Sequence, residues 1–147
     1  MSRLLLLNGP NLNLLGKREP TVYGDEDLTA VEGRLKTLAV ELGHELDCYQ
    51  SNAEHELVDR VQACGDDGTR ALIVNPGAYT HSSIALRDAL LGIGRPFIEV
   101  HLSNVYAREG YRHRSYFSDV AEGAIIGLGV IGYELALLAL HRRLGDN

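Results

Sequence analysis

Apolar positions recur along this chain in two alternating rhythms. Arg3 to Leu7 is a short run containing four consecutive leucines, and Leu28, Val31, Leu35, Leu38 and Leu42 follow at three- and four-residue steps closed by Gly43. The first pattern predicts a strand, the second a helix with one apolar stripe. The unit then repeats. His44 to Tyr49 reads as a second strand, and Ser51 with Glu54 reads as a capping box ahead of a helix carrying Leu57, Val61 and Cys64. Ala71 to Val74, Phe97 to Val100 and Ala124 to Leu128 are three further apolar or β-branched runs. Ser82 to Leu91 reads as a helix between the first two of these, and Tyr133 to Leu144 as a helix at the end. Five strands alternating with helices predict an α/β fold in which an open parallel sheet carries helices on both faces.

Composition adds size and environment to this pattern. A chain of 147 residues with 45% hydrophobic and 23% charged residues suits one flavodoxin-like domain spanning 1–147. No linker, low-complexity tract or internal repeat divides it. A net charge of −6 argues against nucleic acid, and no apolar run approaches membrane length, so the expected partner is a small molecule. The N-terminal apolar run breaks at Asn8, Gly9 and Pro10, as a first strand does and a signal peptide does not. Cys48 and Cys64 lack metal or redox spacing and occupy apolar positions, consistent with reduced thiols in the cytoplasm.

In an open parallel sheet, ligands bind beyond the carboxyl ends of the strands. The first strand ends in Asn8 to Asn11, the third runs out through Asn75 to His81, and the fourth ends in His101 to Ser103, which gathers amides and imidazoles at one rim. Glu99 and His101, two apart in a strand, share a face, where the carboxylate can fix the imidazole tautomer. The same pair also suits a buried structural ion pair. Arg108 and Arg112, four apart, share a face if their segment is helical and then offer anion clamps. Asn11 and Asn75 suit either a polar ligand or an Asx turn. Thr80-His81-Ser82 opens a helix that can receive an anion or simply be capped by Thr80 or Ser82, and Asp88, two turns beyond His81 on the same face, can reach a ligand, a neighbouring subunit or only Arg87 and solvent. Leu15 to Gly24 reads as a hinged lid. Arg18 within it favours the phenolate of Tyr23 over the usual pKa of about 10, although a loop tyrosine also serves as an exposed amphipathic group.

Taken together, Asn8-Gly-Pro-Asn-Leu-Asn-Leu-Leu-Gly16, Arg18-Glu-Pro with Tyr23-Gly24, Asn75-Pro-Gly-Ala-Tyr-Thr-His-Ser-Ser83 and Glu99-Val-His-Leu-Ser-Asn-Val-Tyr-Ala-Arg108 strongly resemble the type II 3-dehydroquinate dehydratases. Gly127-Leu-Gly129 and Gly132-Tyr133 before the last helix extend the resemblance over nearly the whole chain. It implies a flavodoxin-like fold, trimers and dodecamers of four trimers, and removal of water from 3-dehydroquinate through an enolate without metal or organic cofactor. It further implies Tyr23 as base, Arg18 as its activator, and Asn11 and Asn75 holding a water at the enolate oxygen. His101, oriented by Glu99, becomes the acid. Leu102 and Ser103 bind the carboxylate, His81 and Arg112 contact ring hydroxyls, Arg108 closes with the lid, and Asp88 serves a neighbouring subunit's site. Lys17 falls at a variable lid position, and Asp25, Glu26 and Asp27 are expected at a helix N-terminus, where the dipole favours acids.

Three other functions compete. A Schiff-base dehydratase needs a desolvated lysine, and the chain has only Lys17 and Lys36. A metal hydrolase could draw on His81, Glu99 and His101, which lack a compact ligand motif. A non-catalytic binder of a small carboxylate could use the same clamps and lid, with no need for a base, an enolate clamp and an acid together.

Overall fold

A computed structural model describes residues 2–17 and 26–145. Five parallel strands, β1 (Ser2–Asn8), β2 (His44–Gln50), β3 (Thr69–Asn75), β4 (Phe97–His101) and β5 (Gly123–Ile126), form one sheet in the order β2-β1-β3-β4-β5. Helices α1 (Leu28–Glu41), α2 (Glu54–Ala63), α3 (Ile84–Ile93) and α4 (Ile131–Gly145) connect or follow them. This is the flavodoxin-like α/β architecture that the alternating pattern predicts.

The four leucines of β1 explain its central place. Leu4 and Leu6 join a core under α1 and α4 with Val31, Leu35, Ile73 and Leu137, while Leu5 and Leu7 join a second core under α2 and α3 with Leu57, Val61, Leu72 and Leu90. A strand buried on both faces needs an unbroken apolar run, and each fully buried leucine contributes about 1.5–3 kcal/mol.

Several boundaries differ from expectation for local reasons. The proposed capping box does not form, because α2 starts at Glu54 with Ala53 as its N-cap and no side-chain cap. Ser51 lies too far upstream; it accepts from the Ala53 N–H at 3.0 Å and donates to Glu56 at 2.6 Å. Helix α3 starts at Ile84, capped by Ser83 and not by Thr80 or Ser82, while Gly77–His81 forms a separate 3-10 turn. Arg108 and Arg112 do not share a helix face either. Val105–Ala107 and Gly110–Arg112 are two short 3-10 turns, separated by extended backbone at Arg108 and Glu109. Asp27 does stand at a helix N-terminus, accepting from the Ala30 N–H at 2.8 Å as the α1 N-cap, and Glu26 pairs with Arg34.

The turns after β1 and β3 are pressed together at the carboxyl rim. The Gly9 N–H donates to the Asn75 carbonyl at 2.8 Å, and a Cβ on Gly9 would lie 2.3 Å from the Pro76 carbonyl oxygen. Only glycine permits this approach, which sets the spacing between the two asparagine-bearing turns.

Candidate active site

A cavity of about 150 Å³ opens at that rim, about the size that accepts one benzene-sized ring. Asn11, Asn75, His81, His101, Leu102, Ser103, Arg108 and Arg112 all line it. Three segments that are distant in sequence therefore meet in one place, as the carboxyl-end rule requires.

Its best-defined wall comes from β4. Glu99 and His101 lie on the same face of the strand, and the His101 Nε2 is 2.6 Å from Glu99 Oε2. Glu99 is wholly buried. Burial acts to raise its pKa, but hydrogen bonds from His101, Ser118 and Thr80, with the charge of His101, hold the carboxyl at about 2. The ionised carboxylate makes Nε2 the donor, which leaves Nδ1 as the nitrogen where a proton can come and go.

Thr80, Ser115 and Ser118 complete the setting. Thr80 Oγ1 and Ser115 Oγ each donate to Glu99 Oε2 at 2.8 Å, and Ser118 Oγ donates to Oε1. Four donors from three parts of the chain thus replace the hydration of one buried charge, as a stable buried carboxylate requires. The sequence marks Thr80 as part of an anion-receiving helix start or as a cap, not as a donor to Glu99, and marks neither serine.

His81 faces His101 with ring centroids 6.5 Å apart and near-parallel planes. Burial lowers its pKa, and the nearby His101 and Arg112 add to this against the opposing hydrogen bond to the Arg114 carbonyl. Its Nδ1 lies 2.8 Å from that carbonyl and so carries the proton, leaving the Nε2 lone pair as an acceptor.

Asn75 Oδ1 accepts from the Gly77 N–H at 3.1 Å, so Asn75 forms an Asx turn and lines the cavity at once. Its Nδ2 donates to Tyr133 Oη at 2.9 Å, and that hydroxyl donates to Asn8 Oδ1 at 2.5 Å. Asn11 takes the left-handed conformation with φ of 70° and makes no capping hydrogen bond. On the other wall, Arg108 reaches Ser103 Oγ at 3.5 Å, and Arg112 pairs with Glu109 at 2.7 Å. Two guanidinium groups in the lining make this part of a chain of net charge −6 attractive to an anion.

Asp88 is not brought to the cavity. It is exposed on α3 and lines a separate groove toward α2 with Val58, Gln62 and Arg95. The expectation that it continues the face of His81 fails because the chain turns at Ser82 and Ser83 before α3 begins. Arg18, Tyr23 and most of the expected lid lie outside the described residues, while Leu15, at the start of that segment, is buried in the core.

The family model described as Dehydroquinase class II matches residues 2–141. The chain belongs to the class II dehydroquinases. A 3-dehydroquinate dehydratase of Marinobacter nauticus is 58% identical over 144 residues, covering 98% of this chain and 99% of that one. One from Thioalkalivibrio sulfidiphilus is 60% identical over 142 residues, 96% of this chain and 97% of its own. The crystal structure of type II dehydroquinase from Propionibacterium acnes superposes with a TM-score of 0.92 at 42% identity, covering 97% of each chain.

Within this dehydroquinase, one signal for Asn8 was available in the sequence. Asn8 continues the parity of Leu4 and Leu6, and Asn75 that of Ala71 and Ile73, so both amides end strands on the same sheet face. Ser115 and Ser118 carry no such periodic mark, because they reach Glu99 from an irregular segment.

Proposed function

We propose that the cavity eliminates water from 3-dehydroquinate to give 3-dehydroshikimate through an enolate, without metal or organic cofactor. The observation that carries this reading is the buried, ionised Glu99 that fixes the His101 tautomer at the wall of a ring-sized cavity. An imidazole held in this way can hand a proton to a departing hydroxyl and be reset afterwards. Relatives bearing the name 3-dehydroquinate dehydratase support the substrate.

In this mechanism Tyr23, as phenolate, removes the proton α to the ketone, and Arg18 favours the phenolate and stabilises the developing negative charge. Asn11 and Asn75 hold a water against the enolate oxygen. The carbon–oxygen bond then breaks, and His101 protonates the leaving hydroxyl so that it departs as water. The backbone N–H groups of Leu102 and Ser103, with the Ser103 hydroxyl, take the substrate carboxylate. His81 accepts from one ring hydroxyl, Arg112 donates to another, and Arg108 closes over the ring. Asp88, remote from its own cavity, serves the site of a neighbouring subunit in a trimer-based dodecamer. The reading places the enzyme in the cytoplasm, in the shikimate pathway or in quinate catabolism.

The test follows the ultraviolet absorbance of the conjugated enone after 3-dehydroquinate is added to wild type, Tyr23→Phe and His101→Ala. Turnover by wild type with losses of about 10²–10⁴ in each variant is expected for removal of a base or an acid. No turnover from a folded wild-type oligomer overturns the reading in favour of a non-catalytic carboxylate binder.

A further inference from the structure

The buried amides at the rim form a hydrogen-bond relay with a fixed direction. The Gly77 backbone N–H can only donate, so the Asn75 oxygen must face it, which turns the Asn75 amide nitrogen toward Tyr133 Oη. That oxygen, receiving a hydrogen bond from Asn75, sends its own proton to Asn8 Oδ1. Burial raises the Tyr133 pKa, so the hydroxyl stays protonated and remains a donor. An amide nitrogen carries two hydrogens, and Tyr133 takes one from Asn75. The second is left for the cavity that Asn75 lines.

Tyr133 is well placed to hold this arrangement. Its side chain is fully buried, in one core with Ala136, Leu137 and Leu140 of the same helix. Gly132 lets the start of α4 approach the sheet, since a Cβ there would lie 3.3 Å from a Val100 methyl and 3.5 Å from one of Ile125. The Asn8 Nδ2 atom is buried without a protein partner. Turning that amide over would strand the tyrosine proton instead, so the observed direction satisfies more of the relay.

We infer that Tyr133 is a positioning residue of the dehydratase, its hydroxyl holding the Asn75 carboxamide with the second N–H turned into the cavity while Asn8 fixes the direction of that hydroxyl. The inference rests on the proposed enolate chemistry, in which this N–H serves the water at the enolate oxygen. A donor aimed at developing charge acts on the chemical step more than on substrate binding.

Steady-state kinetics on the full-length enzyme test it with Tyr133→Phe, Asn75→Ala, the double variant and Asn8→Ala. Tyr133→Phe is expected to lower kcat about tenfold and to move KM by no more than about twofold, with the shape of the pH profile unchanged. Asn75→Ala is expected to lose about 10²-fold, and the double variant no more than Asn75→Ala alone, because the hydroxyl acts through that amide. Wild-type kcat in Tyr133→Phe, or a tenfold loss that persists in the Asn75→Ala background, overturns the inference and leaves Tyr133 with packing alone. If Tyr133→Phe does not fold, Asn8→Ala tests the same relay with the ring in place. A few-fold loss of kcat that disappears without Asn75 supports it, and unchanged kcat overturns it. An inactive wild type removes the reaction and its positioning residue together, whereas an active wild type with an indifferent Tyr133→Phe removes only the latter.

Discussion

Replacing Glu99 with Gln keeps the shape of the side chain and removes its charge at a site with no access to solvent. Burial acts to raise the pKa of Glu99, and hydrogen bonds from His101, Ser118 and Thr80 reverse this, taking the group from an ordinary 4.5 to about 2. At about 1.4 kcal/mol per pH unit, that distance corresponds to about 3 kcal/mol of stability carried by the ionised form. The folded value is depressed, so the contribution is complete above pH 4.5 and is lost as the pH falls from there through about 2. Glutamine cannot recover it, because its neutral amide offers no charge for His101, Thr80 and Ser115 to stabilise. Its nitrogen would also take the place of the oxygen to which Ser118 donates, or of the one that accepts the other three. Urea unfolding of both proteins at one protomer concentration, stepped from neutral pH toward about pH 3, measures the difference. A gap of about 3 kcal/mol near neutrality that narrows below pH 4.5 is expected. Equal stabilities at neutral pH, or a gap that stays constant through the acid range, would refute the claim that the four donors stabilise a charge.

Two further outcomes follow from the geometry. Gly9→Ala places a methyl 2.3 Å from the Pro76 carbonyl oxygen, so it should destabilise by about 1–3 kcal/mol as overpacked sites do; an unchanged thermal midpoint contradicts the close contact between the two turns. Burial pushes the Cys48 thiol up to about 12, with Glu32 adding to the effect. Near pH 8 it should therefore carry about 10³-fold less thiolate than a free cysteine, and rapid stoichiometric reaction with a disulfide reagent in the folded protein would sink that reading.

The parts of this protein that were legible in its sequence are those governed by local backbone geometry. The unbroken leucines of β1 could satisfy both faces of a central strand, and the three- and four-residue steps of α1 could bury only one. The two-residue period of β4 set Glu99 and His101 side by side whatever the rest of the chain did. The misreadings were also local, and turned on where a helix begins or, at Arg108 and Arg112, on whether one forms at all. The Ser51–Glu54 box failed because α2 starts at Glu54, and Asp88 left the cavity because the chain turns at Ser82 and Ser83 before α3 begins. Tertiary structure alone decided what surrounds the paired groups. Thr80, Ser115 and Ser118 reach Glu99 across 16 to 19 residues of chain, and Tyr133 reaches Asn8 across 125. A side chain's hydrogen-bond partners depend on which segments the two cores draw together. A buried carboxylate or amide that must be satisfied accepts suitable donors from anywhere in the chain.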